Sequence, residues 1–338
     1  MLNNLDITAK EMVKPGKGIL AADESTGTIK KRFDSIGVVS TEELRLNYRQ
    51  MLFEAPQIEN YISGVILFDE TIRQKTKTGR QLINILEEKN ILPGIKVDKG
   101  VVPHSEYPDY PVTEGLDGLN QRCEEYRKLG ARFTKWRAVI KINQSTTPDA
   151  VISANTQALS RYASIAQRFD LVPIVEPEVL MDGNHSIDDC QKITAKTLKS
   201  LYDEMDRQNV RFESSILKPN MIISGSESVE NSQSKEIAEK TIATLKKFVP
   251  AAVPGIAFLS GGQSEKEASL NLNQINSQGV QPWNLTFSYG RALQQSSLSS
   301  WKGENSKSLE AQNKFIHRAK MNSKACLGEY DVDMENEK

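Results

Sequence analysis

Apolar residues in this chain gather into eight short runs: GILAAD (18–23), SGVILFD (63–69), GIKVDKG (94–100), RFTKWRAVI (132–140), LVPIVEPEVL (171–180), SSILKPNMI (214–222), PGIAFLSGG (254–262) and WNLTFSYG (283–290). Within them apolar side chains follow one another with little alternation. A strand exposed on one face alternates, whereas a strand covered on both faces does not. Each run therefore reads as a strand of a buried parallel sheet.

Between the runs the apolar spacing changes to a helical period. In TEELRLNYRQMLF (41–53), Leu44, Tyr48, Met51 and Leu52 share one face. TGRQLINILEEKN (78–90) opens with Thr78 and Gln81 at capping-box spacing. SIDDCQKITAKTLKSLYDEM (186–205) opens with Ser186 and Asp189, and SEKEASLNLNQI (264–275) with Ser264 and Glu267. Stretches 147–169 and 234–249 are also helix-like. Strand and helix alternate eight times with no linker-like segment between them. The simplest closure is an α/β fold, a (β/α)8 TIM barrel forming one domain over residues 1–338, with an extra helix ahead of the first strand. A doubly wound open sheet is the alternative, but no GxGxxG or GxxxxGK(S/T) turn follows the first run. The closing GEYDVDMENEK is acidic without an apolar period, which reads as a mobile tail over 329–338.

Composition narrows the partners. The 338 residues carry a net charge of −1 and are 38% hydrophobic, which excludes a disordered chain. Near-neutral charge gives no general attraction to nucleic acid, so an anion site has to be local. Cys123, Cys190 and Cys326, and likewise His104, His185 and His317, are dispersed, with neither CxxC nor HExxH spacing. Reduced thiols and no metal or other cofactor are expected. No apolar run approaches the ~18 residues of a membrane span, and the first residues lack the apolar core of a signal peptide. The expectation is a cytoplasmic protein without nucleic-acid or membrane partners.

Charged and phosphate-type groups stand near the C-terminal ends of the runs: Asp23, Lys99, Lys135 with Arg137, Glu176 with Glu178, Lys218, Ser260-Gly261-Gly262, and Gly290-Arg291. In a barrel these ends converge on one mouth, where such folds carry their active sites. One charge at a strand end is ordinarily a satisfied surface or core residue. So many together are costly to bury unless they are paired or used.

Lys218 suggests the use. Lysine is a poor nucleophile at its free pKa of about 10.4, but burial and a second ammonium both disfavour the charged form. Uncharged, Lys218 can attack a ketone and form a Schiff base. The iminium is an electron sink for breaking the carbon–carbon bond one atom beyond the α-carbon, with Asp23, Glu176 and Glu178 as acids and bases. Gly261 and Gly262 let backbone N–H groups approach an anion, and Arg291 offers phosphate a bidentate fork. DESTGTIKKR gathers Ser25, Thr28, Lys31 and Arg32. That is either a second anion site or a capped helix start with a basic, solvated face. Two anion sites flanking a Schiff-base lysine suit an acyclic sugar phosphorylated at both ends.

The blocks GKGILAADESTGTIKKRF, GIKVDKGVVP, KWRAVIKI, VPIVEPE, LKPNM, FLSGGQSE and PWNLTFSYGRALQ resemble, in order and spacing, the class I fructose-1,6-bisphosphate aldolases, the metal-independent Schiff-base type. The resemblance runs from about residue 10 to 330. It implies that Lys218 is the Schiff-base lysine and Glu176 the proton carrier of carbinolamine formation and dehydration, with Glu178 beside it. Asp23 is then the aspartate of C3–C4 cleavage. Lys135 orders the hydroxyls and helps depress the nucleophile's pKa, with Arg137 adjacent. Ser260, Gly261, Gly290 and Arg291 match the 1-phosphate site, with Ser288 close by; Ser25, Thr28, Arg32 and Lys99 match the 6-phosphate end, with Arg45 assisting. The resemblance further implies phosphorylated ketose and triose phosphate ligands and a cytosolic homotetramer of glycolysis and gluconeogenesis. The best-known members end in a tyrosine on a flexible tail, whereas this sequence ends Glu337-Lys338, and Tyr330 precedes the acidic stretch. Proton transfer at the enamine would then use a strand-end carboxylate or be slower, and removal of 331–338 would leave cleavage nearly intact. The competing readings are a transaldolase or keto-acid aldolase, which needs at most one phosphate site, and a scaffold barrel.

Overall fold

All eight apolar runs form strands of one closed barrel. The computed structural model describes residues 4–230 and 232–336. In chain order the strands are β1 (Gly18–Ala22), β2 (Ile62–Leu67), β3 (Leu92–Lys96), β4 (Val101–Pro103), β5 (Pro111–Thr113), β6 (Phe133–Ile140), β7 (Val172–Val179), β8 (Ile216–Leu217), β9 (Gly255–Phe258) and β10 (Asn284–Tyr289). β4 and β5 make a separate antiparallel hairpin that the apolar pattern did not announce. The other eight are parallel, run β1-β2-β3-β6-β7-β8-β9-β10, and close by pairing β10 with β1. Every residue of β2 and β7 is buried, because helices cover the outside and side chains fill the inside.

The extra helix, Asn4–Met12, places Leu5, Ala9 and Met12, followed by Val13, against Ile19, Ile66, Phe133, Val172, Ile174, Ile216 and Ala257. These belong largely to the first residues of the strands, so the helix closes the end of the barrel remote from its mouth. The Phe133 ring fills that end and lies where a Cβ on Gly94 would stand, which makes glycine necessary there. β8 has only two ladder residues. Lys218 N–H still donates to Val175 O at 2.8 Å, and Pro219, which has no N–H, follows.

Capping boxes form at Ser186/Asp189 and at Ser264/Glu267. Thr41 caps Glu42–Phe53, whose Tyr48, Met51 and Leu52 are buried. The box expected at Thr78/Gln81 does not form. The Thr78 hydroxyl lies 2.8 Å from that of Thr76 in a tight turn, and the helix Leu82–Glu88 begins after Gln81, which makes no side-chain cap. The stretch from 329 onward, expected as a mobile tail, makes defined contacts through residue 335. Tyr330 is buried and its N–H donates to Asn273 Oδ1 at 2.9 Å. Glu335 accepts from Arg318 Nη1 and Nη2 at 2.7 and 2.6 Å. An acidic stretch without an apolar period can still dock when a buried guanidinium faces it. The expectation for residues 337–338 lies outside the described residues. No described helix is long and apolar enough to cross a membrane.

Candidate active site

The C-terminal strand ends surround a cavity of about 1510 Å³. Asp23, Ser25, Thr28, Arg32, Lys99, Lys135, Arg137, Glu176, Glu178, Lys218, Ser260, Gly261, Gly262, Ser288, Gly290 and Arg291 all line it.

At its base is a buried row of alternating charges. Asp23 directly follows β1 and Lys218 directly follows β8. In β6 and β7, inward positions recur at every second residue. Asp23 Oδ2 lies 2.9 Å from Lys135 Nζ, which also lies 2.9 Å from Glu176 Oε2. Glu176 Oε1 is 3.1 Å from Lys218 Nζ. Lys135, Glu176 and Lys218 are each no more than 4% exposed. Burial pushes the Asp23 carboxyl up, but Lys135 and Lys218 outweigh it and bring it down to about 2. Burial likewise opposes ionisation of Glu176, and the same two ammonium groups hold it below the ordinary carboxylate range. Burial works against charge on Lys135 as well, yet Asp23 and Glu176 raise its pKa. The second ammonium that the sequence offered as a neighbour of Lys218 is thus itself balanced by two carboxylates, and Glu176 is the group in direct contact with Lys218.

Arg137 pairs through Nε with Glu178. Sequence reasoning missed Lys96 and Glu24, both of which line the cavity. GIKVDKG carries two lysines, and Lys99 was the one at the end of the run. In the barrel, Lys96 is in register with Lys135 and bonds Asp98, while Lys99 is exposed at the rim. The deeper lysine was legible only as the last residue of β3. Glu24, next to Asp23, is 2.6 Å from Arg32 Nη1 and accepts from Gln294 Nε2 at 3.1 Å.

On one side, the turn after β9 presents Ser260, Gly261 and Gly262, with Gly261 at φ +56°. Arg291 opens the helix Arg291–Trp301, and its Nη2 donates to Gly261 O at 3.1 Å. Between them, the Ser288 hydroxyl is sealed from solvent and makes no hydrogen bond. On the other side, Ser25 caps the helix Thr26–Asp34, with Oγ accepting from Thr28 N–H at 3.3 Å. The capped-helix alternative is therefore realised, and the same hydroxyls also face the cavity. Arg45 departs from expectation. It is buried, donates from Nε and Nη2 to Glu70 at 2.9 and 2.6 Å, and does not line the cavity. Glu70, just beyond β2, captures the guanidinium that the resemblance had assigned to the 6-phosphate end. Among the described residues, no three His, Cys, Asp or Glu side chains stand together as a metal site requires.

Known proteins match this arrangement along the whole chain. The family model described as "Glycolytic: Fructose-bisphosphate aldolase class-I" matches residues 4–338. A "Probable fructose-bisphosphate aldolase class 1" of Xanthomonas campestris pv. campestris is 50% identical over 330 residues, 97% of this chain and 99% of that protein. The "Fructose-bisphosphate aldolase 4, cytosolic" of Arabidopsis thaliana is 50% identical over 95% of this chain and 82% of its own length. A solved fructose-bisphosphate aldolase from Plasmodium falciparum, in complex with TRAP and a small molecule inhibitor, superposes with a TM-score of 0.96 at 48% identity, covering 97% of this chain and 95% of that one. With the sequence blocks, the closed barrel and these matches in agreement, the chain belongs to the class I fructose-bisphosphate aldolase family.

Proposed function

We propose that this protein reversibly cleaves fructose 1,6-bisphosphate to dihydroxyacetone phosphate and glyceraldehyde 3-phosphate through a Schiff base on Lys218. The observation that carries this reading is the 3.1 Å contact between Lys218 Nζ and Glu176 Oε1 inside a cavity flanked by two candidate anion sites. Glu176 takes a proton from Lys218, whose nitrogen then adds to the ketone carbon. Glu176 gives that proton to the oxygen, then moves a second from the nitrogen to the same oxygen, and the carbinolamine hydroxyl leaves as water to give the iminium. Asp23, held ionised by Lys135, removes the proton of the C4 hydroxyl. The C3–C4 bond breaks, its electrons pass into the iminium as an enamine, and the aldehyde departs. A carboxylate returns a proton to C3, and water releases the ketone product. Lys135 binds the sugar hydroxyls between Asp23 and Glu176. Ser260, Gly261, Gly262, Ser288, Gly290 and Arg291 hold one phosphate. Ser25, Thr28, Arg32 and Lys99 hold the other, and Arg137 with Glu178 walls the space between.

A cytoplasmic location belongs to the same proposal, supported by the Arabidopsis relative named cytosolic. So does a homotetramer, which rests on the family resemblance. The test is borohydride reduction in the presence of fructose 1,6-bisphosphate followed by peptide mass analysis. An adduct on Lys218, absent from Lys218→Met, is expected, and chelators leave turnover unchanged. Turnover retained by Lys218→Met would refute the assignment. A transaldolase-type activity is excluded if bisphosphorylated ketose is preferred over monophosphorylated ketose.

A further inference from the structure

The segment after β7 carries a side chain that no step above uses. Met181 lines the cavity, and its thioether Sδ faces the Gly262 backbone N–H, which donates to it. A Cβ on Gly262 would collide with that sulfur, so the glycine is what lets the thioether close on the turn. The backbone secures the approach: Ser226 N–H donates to Met181 O at 2.7 Å and Glu227 N–H to Gly183 O at 2.9 Å. The same N–H is one of the donors read above as a phosphate contact. Thioether and phosphate oxygen cannot both accept it.

We propose that Met181 is a gate on this anion-binding turn, and that its oxidation by a hydroperoxide to the sulfoxide holds the gate shut. The proposal rests on the reading of Gly261, Gly262 and Arg291 as a phosphate site. A thioether sulfur is a weak acceptor, so an incoming phosphate displaces it at small cost. Oxidation reverses the balance. The terminal peroxide oxygen passes to sulfur, the O–O bond breaks, an S–O bond forms, and sulfur gives up two electrons. The peroxide leaves, protonated, as water or an alcohol. The new polar oxygen is a far better acceptor, aimed at the Gly262 N–H. Met181 is the thioether placed for this. Of the other described methionines, Met12, Met51, Met205, Met221 and Met321 are buried, and Met334, half-buried, lies outside the cavity. The thiols do not compete well. Burial pushes Cys123 and Cys326 up to about 12 and Cys190 up to about 11, so each stays a protonated, slowly oxidised thiol at neutral pH.

The test treats full-length protein with hydrogen peroxide, locates the sulfoxide by peptide mass, and compares each protein with itself before treatment. In the wild type, KM for fructose 1,6-bisphosphate rises about fivefold to tenfold with kcat held, as expected when an oxygen acceptor replaces a sulfur one. Methionine sulfoxide reductase restores it, and Met181→Leu does not respond. An equal rise in Met181→Leu, or complete oxidation of Met181 with KM unmoved, overturns the gate. Calorimetry with inorganic phosphate separates the two readings. Weaker phosphate binding after oxidation, in a protein that turns over no bisphosphate at all, upholds the gate and sinks the aldolase reading.

Discussion

Lys218 Nζ stands 3.1 Å from Glu176 Oε1, with both side chains 4% exposed. The proposed nucleophile and proton carrier are thus in direct contact, and Lys135 holds the other oxygen of the same carboxylate at 2.9 Å. Glu176→Gln keeps the shape and removes the base. We expect kcat to fall by about 10²- to 10⁴-fold, the usual worth of a positioned acid–base group, and the rate of borohydride trapping on Lys218 to fall with it. Trapping at the wild-type rate in Glu176→Gln would move the proton carrier elsewhere.

Asp23 gives the acid limb of stability. Its folded pKa of about 2 lies below its ordinary 3.8. A depressed carboxyl contributes stability above the unfolded value, and that contribution is lost as pH falls through the folded one. The window is therefore about pH 4 down to 2, and the contribution at neutral pH is about 2 kcal/mol. Urea denaturation of wild type and Asp23→Asn across that range checks it. The two stability curves converge towards pH 2; parallel curves would show that the Lys135 pairing does not ionise Asp23 preferentially.

Arg45 and Arg291 separate structure from binding. Arg45→Met breaks the pair with Glu70, so it lowers the denaturation midpoint while KM for the bisphosphate stays within about twofold. Arg291→Ala removes the guanidinium proposed to bind phosphate, and KM is expected to rise about 10- to 100-fold, the worth of a charged hydrogen bond. Steady-state kinetics and thermal melts on the two variants check this together. A large KM effect from Arg45→Met alone would return Arg45 to the phosphate site.

The docked tail changes what a truncation does. Removing residues 331–338 leaves Arg318 without its carboxylate, since Glu335 is the acid that pairs with it. We expect kcat at low temperature to hold and stability to drop by about 2 kcal/mol, with Glu335→Gln reproducing most of the drop. A melt unchanged by both variants would mean that the segment detaches freely in solution.

Most of the barrel was legible because burial on both strand faces leaves a local trace, an apolar run without alternation, and all eight runs became barrel strands. The site was legible for a related reason: parallel strands bring their C-terminal ends to one mouth wherever the chain places them. The hairpin of β4 and β5 was not legible. Its strands are three residues each and partly exposed, too short to set a period. The Thr78 cap failed because spacing cannot tell a free hydroxyl from one already bonded in a turn.

From the sequence alone came the fold class, the family blocks and the charged strand ends that converge on the cavity, since these follow from residue type and position along a strand. Tertiary structure alone decided the partners. Lys135 meets Asp23 across 112 residues, Arg45 turns to Glu70 instead of the cavity, Lys96 lies deeper than Lys99, and Glu335 finds Arg318. Electrostatic pairing falls off with distance in space and is blind to separation along the chain. Which charge neutralises which is therefore fixed only when the barrel closes and sets its register.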